Sequence, residues 1–383
     1  MKEEFTIDHA IPLIPVRRAN MNAIFINSEI WDKLSTIKKE IDKHDINEWD
    51  SIKKHINDYE LIYLSSKNRE KDSISSIKPL SRSYFKMVEI IQECNIELFN
   101  TIKCGHIAEG PGGFIQAIVD MFNNKQFDFE SHAITLKSMK KDVPGWGKGH
   151  RFLNINKINI HYGSDNTGNL YNHHNIIDYS NKVGANTCDI VTADGGFDYS
   201  CNFNKQEEMS YKLLLCEITT NLLTQKIGGT FIIKFFDIFT LLSSQLIYFT
   251  GSLYESFEIM KPKTSRIANS EKYIIFKKFK GCPKSTTDTL LDTIKTCTDY
   301  NSLSLFEDFE TLSITTGFID FIKKFNNDFS ILQMESIQKT LLIINNGNLH
   351  DIIDDCKKHQ IKKAIEWCNE YSIRINFSSS YLK

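Results

Sequence analysis

The chain has 383 residues, 41% of them hydrophobic and 25% charged, with a net charge of −2 at pH 7. That balance fits a soluble globular protein with one large core or two domains, and it excludes a chain that is basic throughout for gripping nucleic acid. No apolar run approaches the roughly 20 residues of a membrane span, and the first residues, MKEEF, carry acids where a secretory leader would be basic.

An intracellular protein, cytoplasmic or nuclear and without a membrane role, is therefore expected. The nine cysteines form no C-x-x-C pair and the eleven histidines no H-E-x-x-H. Reduced, mostly buried thiols and no metal are the reading.

Residues 1–30 read as irregular, broken by Pro12 and Pro15. Residues 31–60 set apolar positions three to four apart among many charges, as one or two solvated helices do. KNREKDSISSIK (67–78) is a polar loop, and 81–98 has helical periodicity after a Ser81 start signal. From 103 onward short apolar strands alternate with helical stretches. The strands are GHIAE (105–109), SHAITL (131–136), INIHYG (158–163), CDIVTAD (188–194), GGTFIIKFF (228–236) and EKYIIFKKF (271–279). Helices are expected over 113–124 and 205–227. This alternation predicts an α/β fold, a largely parallel sheet with helices on both faces. After 281 a Thr/Ser/Asp-rich stretch leads to helical patterns that read as a separate all-α tail or small domain. The expected division is 1–75, 76–280 and 281–383.

In such sheets ligands bind beyond the carboxyl ends of the strands. Gly110, Gly112 and Gly113 stand there, after GHIAE, where glycine permits positive φ and close approach of a ligand. The spacing G-P-G-G-F is not the dinucleotide fingerprint, Pro111 lacks an amide hydrogen, and no P-loop motif occurs. Asp194 and Lys234 are charges in or at the end of apolar strands. Buried charges are costly unless paired, so these mark either a structural ion network or a functional site.

The segments AEGPGGF, ITLK, DIVTADGGFDYS, GGTFIIKFFDIFT and KPKTSRIANSEKYII, in this order and spacing, resemble the FtsJ-like family of RNA 2′-O-methyltransferases. The resemblance runs over about 81–279. It is nearest to the branch acting on the mRNA cap in eukaryotes and large DNA viruses. It implies a Rossmann-like methyltransferase fold with a mostly parallel seven-stranded sheet, S-adenosyl-L-methionine as cofactor and RNA with a capped 5′ end as partner. It also implies a capping-machinery protein partner and, for a viral source, a host-cytoplasm or virion location.

Carried over by position, the family's catalytic tetrad falls on Lys86, Asp194, Lys234 and Glu271, with Lys78 the alternative to Lys86. Lys234 is read as the general base. The cofactor's methionine part is expected at Glu109, Gly110, Pro111, Gly112, Gly113 and Phe114, although Phe114 also reads as a packing residue. Its adenosine runs towards 162–172 with Asp165 and Asn169, and Asp194 completes the set; Asn169 stands where many relatives carry an acid. For RNA the expectation is Lys137 and Trp146, the latter a stacking platform or a plain loop anchor, together with Lys261, Lys263 and Arg266. Two rival functions stay open: an rRNA or tRNA 2′-O-methyltransferase, and a non-catalytic RNA-binding or scaffold subunit.

Overall fold

The computed structural model describes residues 1–7, 26–65, 70–97, 101–125, 128–137, 143–197, 203–297, 314–346 and 349–383. Pro12 and Pro15, named above as breaks, lie outside the described residues, as do the basic residues Arg17, Arg18, Lys140 and Lys141.

Among the described residues eight strands form one sheet: β1 (Lys2–Phe5), β2 (Thr101–Ile107), β3 (Asp128–Ile134), β4 (Asn159–His161), β5 (Cys188–Ala193), β6 (Gln225–Phe235), β7 (Tyr254–Met260) and β8 (Lys272–Phe279). Their spatial order is β1-β7-β8-β6-β5-β2-β3-β4. The run β4-β3-β2-β5-β6 is parallel, whereas β8, β7 and β1 continue it antiparallel. All six expected strands are present within a few residues. The sheet has one strand more than the seven implied by the resemblance, because residues 2–5, read as irregular, pair with β7 at the edge.

The helices are α1 (Ser28–Ile41), α2 (Ile46–Ile56), α3 (Ser83–Glu93), α4 (Gly113–Lys125), α5 (His150–Ile155), α6 (His173–Val183), α7 (Gln206–Thr224), α8 (Leu241–Ser252), α9 (Lys284–Thr296), α10 (Thr316–Asn346) and α11 (Leu349–Glu370). Local chemistry sets several starts: Asp45 accepts from the amides of Asn47 and Glu48 ahead of α2, and Thr240 from that of Ser243 ahead of α8. Helix α8 has no one-sided apolar stripe because 242–252 are buried all round, so periodicity does not reveal it.

Both faces of the sheet are covered, which is why the inner strands are continuous apolar runs. On one face Val191, Phe231 and Ile233 meet Leu215 of α7 and Ile247 of α8. On the other, Ile190, Ile232 and Ile275 meet Phe85 of α3 and Ile118 of α4.

The two long C-terminal helices are split between these faces. Phe318, Ile322, Phe325 and Phe329 of α10 belong to the first core, and Trp367 and Cys368 of α11 to the second. This corrects the expectation of a separate helical tail. Burying each such side chain contributes roughly 1.5–3 kcal/mol, so the sheet's own core is built in part from residues beyond 281.

Candidate active site

Because β2, β5 and β6 run parallel, their carboxyl ends open on one side, into a cleft of about 970 Å³. Its walls include Gly110 and Pro111 after β2, Asp194 after β5, Lys234 on β6, Glu271 just before β8 and Lys86 on α3.

The four charges form two pairs. The Lys86 Nζ lies 2.6 Å from Glu271 Oε1, which also accepts from Ser265 Oγ at 2.7 Å. The Lys234 Nζ lies 3.3 Å from Asp194 Oδ1 and donates to the Asp194 carbonyl at 2.8 Å. Tyr273, the neighbour of Lys234 across the β6–β8 ladder, donates its hydroxyl to Asp194 Oδ1 at 2.9 Å. The pairs also act on each other. Burial would raise the Glu271 carboxyl, but the ammonium groups of Lys86, Lys234 and Lys261 hold it well below the usual range. Lys78, the alternative to Lys86, is not among the lining residues; its carbonyl accepts from Gln116 on α4.

The glycine turn answers to protein atoms more than to a ligand. A Cβ on Gly110 would stand 2.8 Å from the Pro144 carbonyl oxygen, and one on Gly113 would collide with the hydroxyls of Ser81 and Ser83. Gly112 has φ +105°. The expectation that a ligand presses on all three is therefore corrected, since only Gly110 and Pro111 line the cleft.

Glu109 also turns away: its carboxyl is buried beneath the turn, 3.4 Å from His106 Nδ1, where burial pushes its pKa up. Phe114 packs on the Tyr273 ring at 5.5 Å. Asp165 spends its oxygens on Thr167, Asn172 and Asn175, and so folds the loop that presents Asn169 to the cleft.

The residues expected to meet RNA lie elsewhere. Trp146 is 5% exposed among Ile115, Val119, Leu153 and Ile158, an anchor and not a platform. Lys137 is exposed, its Nζ 5.1 Å from the Tyr162 ring centre. Lys261 is buried and donates to the carbonyls of Asn269 and Glu271, and burial pushes its ammonium well down. Lys263 pairs with Glu370 on α11, and Arg266 with Glu60 at 2.7 and 3.0 Å. The three cations of the KPKTSR run thus all have partners in the protein: carbonyls for Lys261, Glu370 for Lys263 and Glu60 for Arg266.

Sequence reasoning missed one wall of the cleft. Lys38 of α1, Trp49 and Lys53 of α2, and Gln333 of α10 all line it. The Lys38 Nζ lies 2.7 Å from Asp237, in the loop after β6, with both side chains buried. A signal for it was present: Lys38 stands on the apolar stripe Ile30, Leu34, Ile41, where a lone lysine needs a buried partner.

A family model described as FtsJ-like methyltransferase matches residues 79–279. The chain belongs to this family. Among curated relatives it is 31% identical to cap-specific mRNA (nucleoside-2′-O-)-methyltransferase 1 of Dictyostelium discoideum, over 69% of this chain and 36% of that protein. It is 33% identical to the protein of the same name in Trypanosoma cruzi (strain CL Brener), over 46% of this chain and 48% of that one. The chain thus spans between a third and a half of these relatives' length. Among solved structures, a putative ribosomal RNA methyltransferase from Plasmodium falciparum aligns with TM-score 0.38 and 21% identity, over 53% of this chain and 99% of that one. The family match holds Lys86, Asp194, Lys234 and Glu271 yet omits α1, α2 and α10, which complete the same cleft. Among the described residues no helix is long and apolar enough to cross a membrane.

Proposed function

We propose that this chain transfers a methyl group from S-adenosyl-L-methionine to the ribose 2′-hydroxyl of the cap-proximal nucleotide of mRNA, using Lys86, Asp194, Lys234 and Glu271. One observation carries the reading: two lysines and two carboxylates, separated by up to 185 residues in sequence (86 to 271), meet in the cleft bordered by Gly110 and Pro111. Relatives named for cap-specific mRNA 2′-O-methylation support the choice of substrate.

The methyl donor fits the residues present. The backbone of Ala108 and Gly110, the Asn169 loop and the Asp194 carboxylate offer polar contacts to a zwitterionic nucleoside, and the cleft is of small-ligand size. Bound there, it supplies an electrophilic methyl on a cationic sulfur.

The protein's share is alignment and proton handling. A 2′-hydroxyl must lose its proton as it attacks, and Lys234 is the amine placed to take it. Glu271 holds Lys86, and the Asp194 carbonyl fixes the direction of the Lys234 amine.

The test is tritium transfer from labelled S-adenosyl-L-methionine to short capped and uncapped RNA, with the methylated ribose mapped. The expected result is transfer to the capped RNA alone. Equal transfer to both would move the substrate to rRNA or tRNA, and transfer to neither would make the chain a non-catalytic RNA-binding subunit.

A further inference from the structure

Helix α7 carries an acid that the mechanism above does not use. Glu217 lies in LLLCEITTNLL and is fully buried, as are Thr219, Thr220 and Asn221 beside it. One of its oxygens accepts the backbone N–H of Gly195 at 3.1 Å, and the other has no hydrogen-bond partner among the described residues. Gly195 sits between Asp194 and Gly196 on the cleft wall, and any side chain there would collide with the Glu217 carboxyl. Gly196 is less tightly constrained: a Cβ there would stand 3.0 Å from the Lys234 Nζ, the mobile end of its side chain. The segment that offers Lys234 both its carboxylate and its carbonyl is therefore pinned from below at one point.

We propose that Glu217 is a positioning residue of this site, holding the Gly195 amide so that Asp194 presents its two oxygens to Lys234. The inference rests on the methyltransferase reading for its kinetic readout. A buried acid costs several kcal/mol when charged and unpaired, and the Gly195 amide is the hydrogen-bond donor that the structure gives it.

The charged groups facing it are Lys234 from β6, Asp194 after β5 and Glu109 after β2. Burial pushes its carboxyl well up, against the pull of Lys234 and the Gly195 amide. Glutamine keeps that shape and that acceptor; leucine keeps only the bulk.

The experiment compares wild type, Glu217→Gln and Glu217→Leu by amide hydrogen exchange over 190–197 and by steady-state transfer to capped RNA between pH 6 and 9. Glu217→Leu is expected to speed exchange of the segment at least tenfold. It should also lower kcat 10- to 100-fold with KM for the donor within threefold. Glu217→Gln is expected to restore wild-type exchange and the wild-type pH profile of kcat. Wild-type exchange and kcat in Glu217→Leu would overturn the proposal, as would a Gln variant as impaired as Leu or with its kcat limb moved by a pH unit. If Glu217→Leu does not fold, the Gln variant decides alone. If wild type transfers no methyl, the functional reading falls and hydrogen exchange still judges the positioning role.

Discussion

The molecule holds two lysine–carboxylate clusters less than ten residues apart along β6 and β8, and they differ chiefly in access to water. In the cleft, Lys86 and Glu271 are each 15% exposed and Lys234 and Asp194 12% and 16%. Behind it, Lys38, Asp237 and Lys272 are 4%, 2% and 1% exposed. Lys38 pairs with Asp237, Lys272 reaches the Phe236 carbonyl, and Glu207 accepts the amides of Phe239 and Thr240. Lys38 borders the cleft, but its amine is taken up by Asp237, so the work of this less exposed cluster is to fix the loop after Lys234. The more exposed cluster is open to a ligand. Chemistry of the side chains is shared; accessibility separates a latch from a candidate catalytic site.

The sharpest way to break this contrast is at Lys234. Lys234→Ala should lower methyl transfer at least about a thousandfold, while calorimetric affinity for S-adenosyl-L-methionine stays within threefold. Activity within tenfold of wild type would remove Lys234 from the base role.

At the less exposed cluster the loss should appear in stability instead. Lys38→Met leaves the buried Asp237 carboxylate with the Lys272 ammonium at 3.9 Å and is expected to cost about 3 kcal/mol in urea unfolding, whereas adding Asp237→Leu should recover most of it. A single-mutant loss under about 1 kcal/mol would mean that water reaches the pair.

Trp146→Ala sharpens the assignment of the loop beside the cleft. As an anchor it should cost about 3 kcal/mol and leave KM for RNA within twofold; a large KM change with normal stability would restore the stacking platform.

The smallest effect concerns pH. Burial pushes Glu207 up to about 7, with Asp237 adding to it against the hydrogen bonds from Ser243 and Thr240. The folded state then keeps a proton that the unfolded chain releases near 4.5. The stability carried by that proton is full below about 4.5 and is lost as pH rises through about 7. Between pH 5 and 8 the decline in unfolding free energy should be shallower in Glu207→Gln than in wild type. Equal declines would show that Glu207 is charged throughout.

Much of the parallel half was legible because it is written locally. Strands such as CDIVTAD and the helix over 205–227 declare themselves by apolar pattern, and Asp194 and Lys234 stand out as charges within it. What stayed hidden depends on partners far away. β1 is four residues whose pairing with β7 spans some 250 positions, and α8 is apolar all round. The meaning of the glycine turn was only half readable, because the atoms that exclude side chains at Gly110 and Gly113 come from 144–145 and 81–83. Basic runs are half readable for the same reason: a sequence shows that Lys261, Lys263 and Arg266 are cationic but not that Glu271, Glu370 and Glu60 await them.

The embedding of α10 in the sheet's core has a practical reach. A fragment cut at the family boundaries, 79–279, would lose Phe318, Ile322, Phe325 and Phe329 and leave an open greasy trough along the antiparallel strands. It would also shed Lys38, and with it the counter-ion of Asp237. Such a fragment is expected to aggregate, so dissection of this enzyme family member has to proceed by point substitution within the whole chain.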